Sequence, residues 1–253
     1  MHALIVLAHP EAKSFNAQMA RIAKETLEAQ GWTAEISDLY RQGFDPCEGL
    51  AHFPAPKEPD YFSAQGEQRH AADTDTMPPE VLAEVEKLER ADLVVFQFPM
   101  WWFSTPAILK GWLDRCLVYG WTYTGSMRYD RGYFMGKRAI LSVSTGAPAS
   151  THGCDGRNGD ADMLLWPFHY SLHYVGFTVL QPYYSFSVES GILYSDPSVL
   201  NDRLEGYKAG LADHLRGIDS MARIPFNGWD DWDKEGRLKP DAPAYSPFMR
   251  HPD

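Results

Sequence analysis

The chain has 253 residues, 44% of them hydrophobic and 13% aromatic, with a formal net charge of −11. That length suits one α/β unit plus a tail, and the ring content suits a sizeable core and a site for a planar ligand. The acidic balance argues against nucleic acid or an anionic membrane surface as a main partner, since both reward basic patches.

No apolar run approaches the ~20 residues that cross a bilayer, and no charged leader precedes the first strand pattern, so no membrane insertion is expected. Cys47, Cys116 and Cys154 are odd in number and share no metal-like spacing. They read as free thiols of a reducing cytoplasm, with no metal site.

Residues 3–8 form a continuous apolar run, the pattern of a strand buried on both faces of a parallel sheet. Met19, Ile22, Ala23 and Leu27 then recur at helical spacing until Gly31. Residues 33–39 read as a second strand, which completes a βαβ unit with a right-handed crossover. Its first loop opens on a helix N-terminus, a ready phosphate site, where Ser14 and Asn16 offer donors of N-cap type. The plainer reading, that one of them only caps the helix, stands beside it. No Gly-rich dinucleotide fingerprint follows the strand.

Residues 41–78 lack periodicity and read as a long excursion. From Pro79 a helix carries Val81, Val85 and Leu88 on one face and leads into the strand at 93–98. That strand stops at Pro99 and spills into Trp101, Trp102 and Phe103. Rings crowded onto a loop at a strand's C-terminal end make sense if they line a flat apolar ligand, and in open α/β sheets ligands bind at that edge. Pro106 opens another helix, whose apolar face includes Ile108, Leu109, Trp112 and Leu113. An aromatic, Gly-punctuated loop follows at 120–125, then a buried strand at 139–144 ending in Thr145-Gly146. Residues 163–174 read as a helix, 177–188 as a last strand, and Leu200, Leu204, Tyr207, Leu211 and Leu215 mark a final helix. Two domains follow from this: residues 1–224 as the α/β body and 225–253 as an extended tail, either disordered or anchored by Phe226, Trp229, Trp232, Tyr245 and Phe248.

Three stretches carry a resemblance. They are Leu4-Ile5-Val6-Leu7-Ala8-His9 with Ser14-Phe15-Asn16; residues 91–100 with Trp102-Phe103 and 106–112; and Ser144-Thr145-Gly146 with Gly159-Asp160 and Leu165-Trp166-Pro167. Together, over roughly residues 1–215, they resemble the NAD(P)H quinone dehydrogenases of the DT-diaphorase type, flavodoxin-like oxidoreductases. The resemblance implies a doubly wound, five-stranded parallel sheet with helices on both faces, and a cytoplasmic homodimer with sites at the subunit interface. It implies FAD, with FMN as the alternative, reduced by NADH or NADPH before a quinone-like acceptor takes a hydride in ping-pong fashion.

Carried over residue by residue, His9, Ser14, Phe15 and Asn16 would hold the phosphates and adjoining groups. Pro99, Met100, Trp101, Trp102 and Phe103 would run along the isoalloxazine, and Thr145 and Gly146 would reach its pyrimidine side. Substrate would meet Trp102, Tyr123, Gly125 and Tyr174. Departures sit in the catalytic set, expected as His152, Asn158 and Tyr123. His152 and Asn158 replace the family's Tyr and His relay; His152 can titrate near neutrality and stabilise an anion, whereas Asn158 can only donate. Gly125 replaces the second mouth tyrosine, and Leu200 replaces an adenine-end arginine, with Arg203 offset. The same site would also suit azo, nitro or free-flavin reduction, and a flavin-binding regulatory subunit of a transporter is the reading from another class.

Overall fold

In the computed structural model, which describes residues 1–189, 191 and 194–252, two buried apolar strands lie side by side. They are β1 (His2–Leu7) and β3 (Leu93–Pro99), paired in parallel and closed to solvent on both faces. β2 (Thr33–Asp38) extends the sheet beyond β1, and β4 (Arg138–Ser144) extends it beyond β3. Because the order runs β2-β1-β3-β4-β5, the chain reverses direction across the sheet between β1 and β3. The loops leaving those two strands diverge there, and a crevice opens at their carboxyl ends.

The helices follow from alternation along the strands. Ala3, Ile5 and Leu7 face one layer, with α1 (Phe15–Ala29) and α6 (Pro197–Arg216) packed over them. Leu4 and Val6 face the other, under α3 (Pro79–Arg90), α4 (Ala107–Cys116) and α5 (Ala161–Tyr174). Among the described residues no helix is long and apolar enough to cross a membrane.

Two expectations change, and one left open is resolved. The excursion at 41–78 contains a helix, α2 (Ala64–Thr74), whose buried face is polar: Glu67 accepts the N–H groups of Lys57 and Glu58, and Gln68 bonds Glu48 and the Asp114 carbonyl. A hydrophobic period cannot reveal such a helix. The last strand is not continuous. It breaks into β5 (Thr178–Val179) and β6 (Tyr183–Ser185), both on β4. Between them Gln181 turns its N–H to Ala222, and Pro182 has none to give. The tail, described to residue 252, packs on α5: Phe226 stacks on His173 at 4.5 Å, and Phe248 on Trp166 at 6.1 Å. Tyr245 stays exposed.

Candidate active site

Loops after β1, β3 and β4 supply one edge of the crevice. Ser14 caps α1, its Oγ accepting the Ala17 N–H at 3.1 Å. The plain capping reading holds for Ser14, yet the N–H groups of Phe15 and Asn16 keep no partner among the described residues. The helix terminus still offers an anion two donors and the dipole. The Asn16 side chain does not share in this. It is buried, donating from Nδ2 to Ser144 Oγ at 2.9 Å and accepting from Gln97 Nε2 at 2.8 Å. Its amide clamps α1 to β3 and β4 rather than reaching into the crevice. His9 Nδ1 accepts the Glu11 N–H at 3.0 Å, which leaves the ring proton on Nε2. Burial lowers its pKa, against the opposing pull of Glu11, so the donor is a neutral imidazole.

On the β3 side, Met100 donates its N–H to the Ser144 carbonyl at 2.8 Å, and Trp101 and Ser104 exchange bonds of 3.0 and 3.1 Å. Trp102 and Phe103 lie between them with φ of 51° and 59°. Two successive positive φ values inside that hydrogen-bonded pair are the signature of a type I′ turn, which favours Asn-Gly. A left-handed conformation costs ~1–2 kcal/mol per ordinary residue. Trp102 is nonetheless 93% exposed and Phe103 50%. A strained turn that holds two large rings in water presents a surface suited to a flat apolar ligand. The His9 ring, 6.1 Å from Trp101, joins this platform to the helix terminus.

On the β4 side, Thr145 Oγ1 lies 3.4 Å from His152 Nε2 and accepts the Ala147 N–H. At Gly146 an added Cβ would meet only the Val188 carbonyl, at 3.7 Å, so the edge stays open to a ligand. His152 is 6% exposed, and burial lowers its pKa. The free ring is neutral at pH 7, not the cation its residue type allows. Asn158 braces it indirectly, donating its N–H to the Thr151 carbonyl at 2.9 Å and its Nδ2 to Thr151 Oγ1 at 3.0 Å. Gly156 presses on the Thr151 carbonyl with no room for a Cβ.

Tyr123, Gly125 and Tyr174 lie elsewhere. The Tyr123 N–H reaches the Val118 carbonyl, just past the C-terminus of α4, a 10-residue helix that spans ~15 Å from the aromatic turn. α4 and α5 wall a groove of about 430 Å³, with Ser104 and Thr105 at one end and Tyr123 and Tyr174 at the other. The two tyrosine rings meet edge-on at 5.7 Å, and Gln65 donates to the Tyr123 hydroxyl at 3.2 Å. Burial raises the Tyr123 pKa, so it is a neutral phenol. Gly125 is exposed, with nothing within 4 Å of an added Cβ. One chain thus holds two groups of site residues, a ring platform and a tyrosine pair, at opposite ends of a groove. The sequence pattern does not single out Gln65, on the polar helix α2, or Arg128, whose guanidinium donates to the Tyr174 hydroxyl at 3.1 Å.

A 2-1-3-4-5 sheet with a helix terminus and a ring platform at its switch point defines a flavodoxin-like protein. Residues 1–209 match the family described as Flavodoxin-like fold. The chain is 40% identical over 211 residues to NAD(P)H dehydrogenase (quinone) 1 of Cavia porcellus, covering 83% of this chain and 75% of that one. It is 44% identical over 188 residues to ribosyldihydronicotinamide dehydrogenase (quinone) of Mus musculus, covering 74% and 81%. A solved Klebsiella pneumoniae protein assigned as a quinone reductase superimposes with a TM-score of 0.86 at 32% identity, over 95% of both chains. The chain belongs to the NAD(P)H dehydrogenase (quinone) family of oxidoreductases, within the flavodoxin-like fold.

Proposed function

We propose that this chain is a homodimeric, FAD-dependent NAD(P)H:quinone oxidoreductase that works by ping-pong two-electron transfer. The observation that carries the reading is the strained Trp102–Phe103 turn, which holds bare rings at the β1/β3 switch point beside an open helix terminus. When bound, FAD supplies the hydride chemistry, accepting from NAD(P)H and donating to the quinone that replaces it.

The chain's own residues hold and orient. The N–H groups of Phe15 and Asn16, with His9 Nε2–H, bind the phosphates. Trp101, Trp102 and Phe103 stack along the ring system. The N–H groups of Met100 and Trp101 are already spent, so those of Trp102 and Phe103 remain as donors to its polar edge. Thr145 and Gly146 approach the pyrimidine side. His152, neutral in the free protein, would stabilise negative charge placed beside it by taking a proton from solvent, since a neighbouring anion raises its pKa. A two-fold axis along the α4–α5 groove would bring Tyr123 and Tyr174 of a second copy over the platform, closing each site against water.

Purified protein is expected to be yellow and to release FAD, not FMN, on boiling. Anaerobic NADPH or NADH bleaches it, and a benzoquinone restores the colour. Colourless protein that takes up no flavin overturns the reading. Gly125 leaves the tyrosine end wide, which favours bulkier azo or nitro acceptors as a second reading. A rate survey across quinone, azo and nitro acceptors decides between them.

A further inference from the structure

Beyond the tyrosine pair lies a cavity of about 700 Å³ between the body and the tail, lined by Arg128, Tyr129, Tyr170, Trp229 and Trp232 among others. The Arg128 guanidinium sits 5.6 Å from the ring centres of both Tyr129 and Tyr174 and 5.1 Å from that of Trp229. Three rings fix the plane of this cation. Its one hydrogen bond goes to the Tyr174 hydroxyl, and among the described residues no carboxylate pairs with it.

None of the acidic groups nearby bonds Arg128. Asp130 accepts the Trp229 N–H, Asp230 pairs with Arg131, and Asp231 accepts from Asn227 and Gly228. Asp233 accepts the N–H groups of Glu235 and Arg237. Arg128 Nε and the indole N–H of Trp232 are both buried without partners. These groups only donate, so the aromatic wall presents buried donors with no acceptor opposite them. Tyr170 lines this cavity and the groove alike, and Tyr174 links Arg128 to Tyr123. A ring lying against the tyrosine pair has its substituent within reach of Arg128.

We propose that Arg128 is a specificity residue of the redox site, binding a singly charged carboxylate or sulfonate carried by a planar aromatic acceptor. Asp233, Lys234 and Glu235 also line the cavity, and its two carboxylates disfavour a dianionic phosphate more than a singly charged group. The placement rests on the quinone reductase reading, but the anion chemistry does not, and the test separates the two.

Flavin-loaded protein is titrated calorimetrically with naphthalene-2-sulfonate and with 2-naphthol, neither of which needs turnover. The sulfonate binds at least about tenfold tighter than the phenol, one charge-assisted hydrogen bond being enough for that ratio. Arg128→Met abolishes the preference, and Arg128→Lys restores part of it. In turnover, the kcat/KM ratio of 1,2-naphthoquinone-4-sulfonate to 1,2-naphthoquinone falls by about tenfold in Arg128→Met. No sulfonate preference in the wild type, or one undiminished in Arg128→Met, overturns the proposal. Protein that reduces no quinone yet keeps the Arg128-dependent sulfonate preference overturns the quinone reductase reading alone.

Discussion

His169 faces inward from α5 at 1% exposure, with no partner for either ring nitrogen among the described residues. Burial alone takes its pKa from 6.5 to about 4. The folded protein therefore keeps the ring neutral while the unfolded chain binds a proton as pH falls through 6.5. The unfolded state holds more protons in that window, so stability falls as pH drops from 6.5 towards 4 and is flat above it. At pH 5 the gap amounts to about 2 kcal/mol. In urea unfolding, His169→Phe is expected to lose about that much less stability than the wild type between pH 7.5 and pH 5. Parallel pH curves for the two would show that the ring is not held neutral. Asn16 makes the opposite case, a buried polar group fully used. Asn16→Ala strands Gln97 and Ser144, and the unfolding free energy is expected to drop by about 2–3 kcal/mol, against ~1 for the loss of an ordinary helix cap. A loss no larger than the cap value would mean that the clamp contributes little.

The Trp102–Phe103 turn spends stability on presenting rings. Trp102→Asn with Phe103→Gly supplies what a type I′ turn prefers, so the flavin-free protein is expected to gain about 1–2 kcal/mol in urea unfolding. The same variant is expected to bind FAD at least about tenfold more weakly by fluorescence titration, since two of the three stacking rings are gone. A variant that gains nothing in stability would show an unstrained turn. This element also marks the limit of what sequence conveys. β1, α1, α3, β3 and α4 are legible because their burial follows an apolar period, and the ligand edge is legible because loops after buried parallel strands must converge there. The turn is illegible because Trp-Phe contradicts its local preference. α2 is illegible because Glu67 and Gln68 take two of its three buried positions, and the break in the last strand shows only as Pro182. In the site, Ser14 caps α1, as one of its two readings has it, and Thr145 and Gly146 follow the end of β4. The direction of the Asn16 amide and the neutrality of His152 depend on packing from other strands, which no local pattern encodes.

At the scale of the molecule, the tail covers Trp166 and His173 of α5 and walls the Arg128 cavity. The largest consequence lies in the separation of the ring platform from the tyrosine pair by the length of α4. If the two groups work together only across a two-fold axis, damage to each can be complemented between chains. One chain carries Trp102→Ala and Phe103→Ala; the other carries Tyr123→Ala and Tyr174→Ala. Each homodimer has two crippled sites. A mixed dimer has one site with both groups damaged and one with both intact, so random mixing after co-expression restores about a quarter of wild-type quinone reductase activity per site. Groups acting within a single chain would give no recovery, because every site would then keep one damaged half. The isolated heterodimer, purified through two different affinity tags, sharpens the contrast to about half of wild type against none. Its flavin stoichiometry is read in parallel, since platform damage alone is expected to empty one site of the pair.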